Sequence, residues 1–500
     1  MKEYKIPLEL VDYEEQTLKV DENDIEKDKQ RILDFLQEEG VVATVTETSV
    51  GPRIVTYTLA LQNPVKPRTL SIWTDTLCLY LEKQTYCTFN EEGMVEVGVE
   101  KRTREYVPLG QMLAEGCIPT DETNSLIVAM GKDCKNENCT LDLCKMIHTL
   151  VAGVSGSGKS MWINSMLLSL ICHHSPKDMR LVLIDPKRVE FAQYNGLPHL
   201  LTGGTFTDPG ESISVLQWLR EEMERRYNLF RAKKYVADID QYNTLVGEEE
   251  QLPKIVVVID ELADLMLADQ GETETAIATL VQKSRAAGIH LIVATQRVCP
   301  SVLRGAIRSN IPTRLAFRVA ADVDSRVILG QTGAQRLLGR GDYYCDYHGR
   351  LMRLQAPYVS YQTIEKVVEY VKTQYEAPAL DEEVTLFIKA QREAKKKASS
   401  GEVNAKYIEV LRWVAETGMA SISAVQRKFS VGYNKAGEMI EWMEDKGYIS
   451  TFDGTKKRDV LITLEEVEKL YGKADDKAKT LDEPQEESKA HGKHRGYPLF

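Results

Sequence analysis

The chain has 500 residues, 43% hydrophobic and 28% charged, with a formal net charge of -12, the profile of a soluble globular protein of roughly two to four domains. That acidic balance excludes a protein that coats nucleic acid through bulk charge, so any DNA contact must be local, in a lined channel or a loop set. No apolar run approaches the ~20 residues of a membrane helix, and the opening MKEYKIPLELVDYEE lacks the apolar core of a signal peptide; a cytoplasmic protein is expected.

Residues 1–125 read as a small α+β subdomain. Asn23 or Asp24 is placed to cap a helix over 25–39 whose Ile32, Leu33 and Leu36 face inward and which Gly40 stops. Val55, Tyr57, Leu59 and Leu61 alternate with smaller residues, as do Val95, Val97 and Val99, the period of half-buried strands. Nothing here gathers catalytic groups, so a scaffold or assembly role is expected. From 126 to 372 short apolar strands alternate with helical stretches: Thr149–Ala152, Leu181–Ile184, Ile255–Ile259, Leu291–Ala294 and Leu315–Val319. Such runs suit an α/β fold, a largely parallel sheet covered by helices on both faces. Gly288 stands where a helix over 273–287 is expected to end. Residues 373–403, with Pro378 and Lys395-Lys396-Lys397, have linker composition around one short helix. A compact domain over 404–468 follows, and the polar tail 469–500 has too little apolar content to pack.

Nine cysteines are scattered without a disulfide framework, as in a reducing compartment. Cys134, Cys139 and Cys144, with His148 behind them, lack the C-x2-C spacing of a zinc knuckle, so free thiols are the expectation.

The chemistry centres on Gly153-Val154-Ser155-Gly156-Ser157-Gly158-Lys159-Ser160, which fits the phosphate-loop pattern G-x-x-x-x-G-K-[ST]. Set between a buried strand and a helix, such a loop aims backbone N–H groups and a helix N-terminus at phosphates. Lys159 is expected to reach the β- and γ-phosphates of ATP, and Ser160 to ligate Mg²⁺. About a hundred residues on, a β-branched run ends in Asp260-Glu261: Asp260 is the candidate for the Mg²⁺ shell and Glu261 for orienting the attacking water. Gln296, closing a neighbouring strand, is a candidate γ-phosphate sensor. Arg285 is the first candidate for an arginine completing a neighbouring subunit's site, Arg314 the second; Arg304–Arg308 is the pore-loop candidate.

The ordered stretches LVAGVSGSGKS (150–160), LIDPK (183–187), GLPHLL (196–201), MERRY (223–227), VIDELADLM (258–266), RAAGIHLIVATQR (285–297), NIPTRLAFRV (310–319) and DSRVILGQTGAQRLLGRGD (324–342) resemble the FtsK/SpoIIIE family of DNA translocases. GPRIVTYTLAL (51–61) is similar to its N-terminal subdomain, and 404–462 to its winged-helix γ domain. The resemblance implies a RecA-like P-loop NTPase motor core, an ATP hydrolase assembled as a homo-hexamer around double-stranded DNA. It also implies a trans-acting arginine in the segment holding Arg285 and contact of the winged helix with a tyrosine recombinase. Members that serve division or sporulation usually carry membrane helices upstream, and this sequence shows none, a departure from the family's pattern that leaves a septal anchoring role open.

In the winged helix the resemblance places sequence reading on the helix from Asn434, with Lys435, Glu438 and Glu441 on it and Lys456, Lys457 and Arg458 in the wing. Asn434 and Glu441 match the family's reading positions, whereas Glu438 stands where the family has Arg. A Glu accepts from cytosine N4 or repels phosphate rather than gripping guanine, so the usual octamer-type polarity signal is not expected to be read with normal strength. The nine Lys+Arg against eight Asp+Glu of residues 404–462 add little bulk attraction to a duplex. Two rival readings are a conjugation coupling ATPase that delivers DNA to a secretion channel and a regulator in which ATP switches a winged helix on an operator.

Overall fold

The computed structural model describes residues 4–11, 21–90, 92–103, 105–119, 125–375, 382–451 and 458–471, with the side chains of 394–405, 433 and 434 excepted. Contacts divide the chain into two compact units, Met1–Arg392 and Glu393–Phe500.

The first unit opens with the α+β subdomain. Its first helix, Glu22–Glu38, begins one turn ahead of the expected caps: the Asp21 carboxylate accepts from the Asp24 N–H at 3.2 Å. Gly40 turns left-handed at φ +73° and ends the helix as expected. Four antiparallel strands follow, β1 (Ala43–Val50), β2 (Ile54–Leu61), β3 (Thr85–Phe89) and β4 (Val95–Glu100), in the order β1-β2-β4-β3. Tyr57 and Leu59 of β2 and Val95, Val97 and Val99 of β4 pack against Ile32, Phe35 and Leu36 of that helix and Trp73 and Leu77 of the helix Pro67–Leu81. Leu33 is only half-buried, because Phe35 takes the inward position.

After the two-residue strand β5 (Val107–Pro108), the chain builds a nine-stranded sheet. Its members are β6 (Ile127–Lys132), β7 (Asn138–Asp142), β8 (Thr149–Ala152), β9 (Met179–Ile184), β10 (Lys254–Ile259), β11 (Ile289–Thr295), β12 (Thr313–Phe317), β13 (Asp342–Tyr347) and β14 (Arg350–Gln355). The order is β7-β6-β14-β13-β12-β8-β11-β10-β9. The five strands β12-β8-β11-β10-β9 run parallel, and β13, β14, β6 and β7 add an antiparallel flank. Every residue of β8, β9, β10 and β11 is buried, because helices cover both faces and leave two separate apolar cores. Within the parallel part β11 stands between β8 and β10, the RecA-like arrangement that opens a gap between the phosphate loop and the carboxylates one strand further on.

Two elements depart from the sequence expectations. The helix before β11 runs Gln270–Lys283, and residues 284–288 form a turn closed by the Ser284 hydroxyl, which donates to the Ile289 carbonyl at 2.9 Å. Gly288 takes φ +70°, and a Cβ there would sit 2.7 Å from the Ile239 side chain. The helix Tyr361–Gln374 closes the stretch before the expected linker, and where linker composition was read, over 373–403, Glu382–Thr417 forms one 36-residue helix that runs on into the next segment. Its Ala, Lys, Glu and Gln content has high intrinsic helix propensity. Val384 and Ile388 belong to the core of the first unit. Pro378 lies outside the described residues.

The second unit packs Tyr407, Val410, Leu411 and Val414 against the helices Ile422–Phe429 and Tyr433–Asp445, closing with Leu464–Tyr471. Isolated bridges Ala420–Arg458 and Ile449–Val460 stand where a winged helix pairs its small sheet. The wing's turn and the tail beyond 471 lie outside the described residues. No described helix is long and apolar enough to cross a membrane.

Candidate nucleotide site

The loop 153–158 leaves the carboxyl end of β8 and delivers Lys159 as the first residue of the buried helix Lys159–His173. Backbone bonds fix it on both sides: Gly153 N–H to the Thr295 carbonyl (3.3 Å), Val154 N–H to Arg318 (3.0 Å), and Gly341 N–H to the Ser157 carbonyl (2.8 Å). Gly156 and Gly158 take φ +74° and +109°, a region that disfavours a Cβ. At Gly158 a Cβ would also stand 2.3 Å from Gly341 N.

The structure brings the expected residues together. Lys159 Nζ donates to the Asp260 carbonyl at 2.7 Å and lies 3.0 Å from its carboxylate, both side chains only 3% exposed. Glu261 is the N-cap of the helix Leu262–Ala268, its Oε1 accepting from the Ala263 N–H. The same carboxylate accepts from the Thr295 hydroxyl (2.7 Å), from the Gln296 N–H (3.2 Å) and from Lys187 Nζ (3.2 Å). Four donors on one buried group fix its rotamer. Gln296 thus meets the site through its backbone.

Around Ser160 the donors are all oxygen. The Ser160 hydroxyl donates to Glu190 Oε1 at 2.9 Å, and Asp185 Oδ2 holds the Glu190 and Phe191 amides (2.9 and 3.1 Å). Glu190 Oε2 and Asp185 Oδ1 are buried without a hydrogen-bond partner. Burial pushes the Glu190 carboxyl above its ordinary range, opposed by the Ser160 hydrogen bond and reinforced by the Asp260 charge. Orphaned oxygens beside a serine hydroxyl and Asp260 suit a hard cation such as Mg²⁺, which is usually held by one or two carboxylates with substrate phosphates. Among the described residues no group of three or more His, Cys, Asp or Glu forms a metal cage. Cys134, Cys139 and Cys144 are not joined in disulfides. A cleft of about 420 Å³ opens beside the phosphate loop, walled by Arg318–Ala320 and the turn Leu338–Arg340.

Arg285 is exposed on the turn that precedes the amino end of β11, whereas the phosphate loop follows the carboxyl end of the parallel strand β8. A seven-residue strand at about 3.3 Å per residue puts the two roughly 20 Å apart, so Arg285 does not reach the phosphate loop of its own chain. The buried Arg226 supports this turn, donating to the Ala287 carbonyl at 2.8 Å while paired with Glu222 at 2.6 Å. Arg314 instead donates to the Ile328, Arg308 and Ile311 carbonyls, which commits its guanidinium to the fold. In the pore-loop candidate, Arg304 pairs with Glu274 at 2.8 Å and Arg308 is exposed on the helix Gly305–Asn310.

In the winged helix, Lys435, Glu438 and Glu441 are exposed on Tyr433–Asp445, with Lys435 and Glu438 paired at 3.2 Å. Arg458 turns back to Glu444 at 3.1 Å. The Asn434 side chain, Lys456 and Lys457 lie outside the described residues.

Sequence reasoning missed Asp185, Lys187, Glu190 and Thr295 as parts of this site. Asp185 and Lys187 sit in LIDPK after a buried strand, which is a usable signal. Glu190 has none, because its role depends on a partner thirty residues away.

Fold and site together define a P-loop nucleotide-binding protein with a RecA-like core, an N-terminal α+β subdomain and a C-terminal winged helix. Residues 118–300 match the FtsK/SpoIIIE family, 7–100 the FtsK alpha domain and 401–463 the Ftsk gamma domain. Relatives include the DNA translocase FtsK of Haemophilus influenzae, 36% identical over 478 residues, covering 90% of each chain. The DNA translocase FtsK of Caldanaerobacter subterraneus subsp. tengcongensis is 39% identical over 451 residues, 89% of this chain and 62% of that protein. The DNA translocase SftA of Bacillus subtilis is 39% identical over 450 residues, 88% of this chain and 46% of that protein. The chain belongs to the FtsK/SpoIIIE family. It spans less than two thirds of the length of the latter two relatives.

Proposed function

We propose that this protein is an ATP-driven translocase of double-stranded DNA that works as a ring of identical subunits, a hexamer, in the cytoplasm. The observation that carries the reading is the convergence of Lys159, Ser160, Asp260 and Glu261 on one phosphate loop, in a chain whose relatives are named DNA translocases. Nine cysteines with no disulfide among them suit a reducing compartment.

ATP is the substrate. The loop amides and Lys159 hold its phosphates. Mg²⁺ would be held by Ser160 and Asp260, with Glu190 beside them, and would neutralise phosphate charge. Glu261, fixed by Thr295, Gln296 and Lys187, orients the water that attacks the γ-phosphorus as the bond to the β-phosphate oxygen breaks. The roughly 20 Å between Arg285 and its own loop supports its action on a neighbour's site, a contribution of roughly 10³–10⁵ in rate for an arginine supplied in trans. The 304–308 segment is our candidate for the DNA-facing loop.

The test is ATP hydrolysis with and without long linear duplex. Wild type should be stimulated by DNA. Glu261→Gln should bind ATP and turn over about 10²–10⁴-fold more slowly, as for loss of a positioned base. Arg285→Ala subunits should poison mixed assemblies while keeping their own nucleotide affinity. Hydrolysis indifferent to DNA in the wild type would demote the translocase reading.

A further inference from the structure

The far wall of the nucleotide cleft is held from the N-terminal sheet. In the turn 338–341, Gly339, Arg340 and Gly341 take φ +72°, +52° and +96° in succession, a left-handed run that costs energy at the arginine and persists only where the surroundings impose it. One edge of this turn touches the phosphate loop, through the Gly341 N–H to the Ser157 carbonyl and through the close approach of Gly158.

The other edge is clamped by Asp342. Its carboxylate accepts from the Leu338 N–H at 2.7 Å, closing the turn, and from Nε and Nη2 of Arg353 at 3.0 and 2.7 Å. Gln355 Nε2 adds a bond to the Arg340 carbonyl at 3.0 Å. The Arg353 guanidinium lies over the ring of Tyr86, 4.3 Å from its centroid. Tyr86 belongs to β3 of the N-terminal sheet, and its ring fills the space above Gly98 of β4, where a Cβ would stand 1.9 Å away. Arg53 of the same subdomain donates to the Gly339 carbonyl at 3.4 Å. A planar fork stacked on a ring is a contact that lysine cannot reproduce.

We propose that Asp342, Arg353 and Tyr86 are positioning residues through which the N-terminal subdomain sets the turn that walls the nucleotide cleft, so that nucleotide affinity and order in the N-terminal sheet are coupled. The inference rests on the nucleotide reading above and assigns to the N-terminal subdomain a part in that site which none of its own residues performs by touching the substrate. Coupling of this kind is reciprocal. Whatever tightens the turn on the phosphate loop also steadies Tyr86, and loosening Tyr86 weakens the nucleotide's hold.

Two measurements on the full chain test it. In hydrogen exchange, ATPγS should slow the amides of 153–160 and also those of 84–89 and 95–100. In steady-state hydrolysis, Tyr86→Leu and Arg353→Lys should raise KM for ATP about tenfold, within the usual range of coupling, with kcat held within about twofold, the pattern of lost uniform binding. Tyr86→Phe keeps the ring and should restore the wild-type KM. A purely structural role would lower Tm and leave KM alone, and that result overturns the proposal. So does protection of 153–160 with 84–100 unchanged, a readout that needs no variant to fold. Absence of protection at 153–160 would instead overturn the nucleotide reading itself.

Discussion

Lys159 and Asp260 form an ion pair almost sealed from water, so each owes its tolerated burial to the other. Lys159→Ala should therefore abolish ATP binding and also leave a buried carboxylate without its cation, at a cost of about 3–5 kcal/mol. Lys159→Ala with Asp260→Ala should recover most of that stability and none of the hydrolysis; calorimetry beside an ATPase assay reads both. Equal melting of the single variant and wild type would mean that water already screens the pair. At this scale the sequence was legible where function is local. Eight consecutive residues carry the phosphate loop, and Asp260-Glu261 end a conspicuous strand. It was opaque for Glu190 and Thr295, whose partners Ser160 and Glu261 reach them only through tertiary packing.

Among the elements, the five parallel strands were readable because burial on both faces leaves continuous Val/Ile/Leu runs, and their observed bounds differ from the expected ones by at most two residues, β8 by none. The antiparallel flank was not read: β13 and β14 mix Asp, Tyr, Arg and Gln with apolar residues and carry no clean alternation. The part of the long helix Glu382–Thr417 before residue 404 was read as linker around one short helix, because polarity and Ser-Ser-Gly outweighed its helix-forming majority. In the helix Tyr433–Asp445, exposed Glu438 pairs with Lys435, which removes one cation from any duplex contact. The wild-type chain should therefore prefer an octamer-type polarity sequence over scrambled DNA by less than tenfold. Glu438→Arg should raise that preference by roughly the 1–3 kcal/mol of one bidentate guanine contact. Competition binding at fixed salt measures both, and a strong wild-type preference refutes the argument.

Across the whole molecule, buried neutral imidazoles set an acid limit. Burial, with lesser help from the neighbouring His290, lowers His148 from 6.5 to about 3; burial likewise lowers His174, His199 and His290 to about 4. His148 Nδ1 accepts from the Leu291 N–H, and Nε2 of both His148 and His290 has no partner. Their contribution to stability is fully present above pH 6.5 and is lost as pH falls toward 4, because the unfolded chain takes up protons that the native one refuses. Tm should decline from about pH 6.5 downward, the unperturbed imidazole value, well before carboxylates titrate. A flat Tm to pH 4.5 would contradict this.

At this scale a change of texture near residue 126 and a compact segment after 404 were legible in the sequence, while contacts divide the chain between Arg392 and Glu393. The clamp between the N-terminal sheet and the cleft was not legible, since Tyr86, Asp342 and Arg353 are scattered over more than 250 positions and meet only in the fold. The central claim, that ATP cleavage in this fold moves a duplex, is tested most directly by displacement of a triplex-forming strand from long linear DNA. We predict ATP-dependent displacement with a lag that grows with the distance to the triplex, lost in Glu261→Gln. Brisk DNA-stimulated hydrolysis by the wild type with the third strand left in place would contradict it.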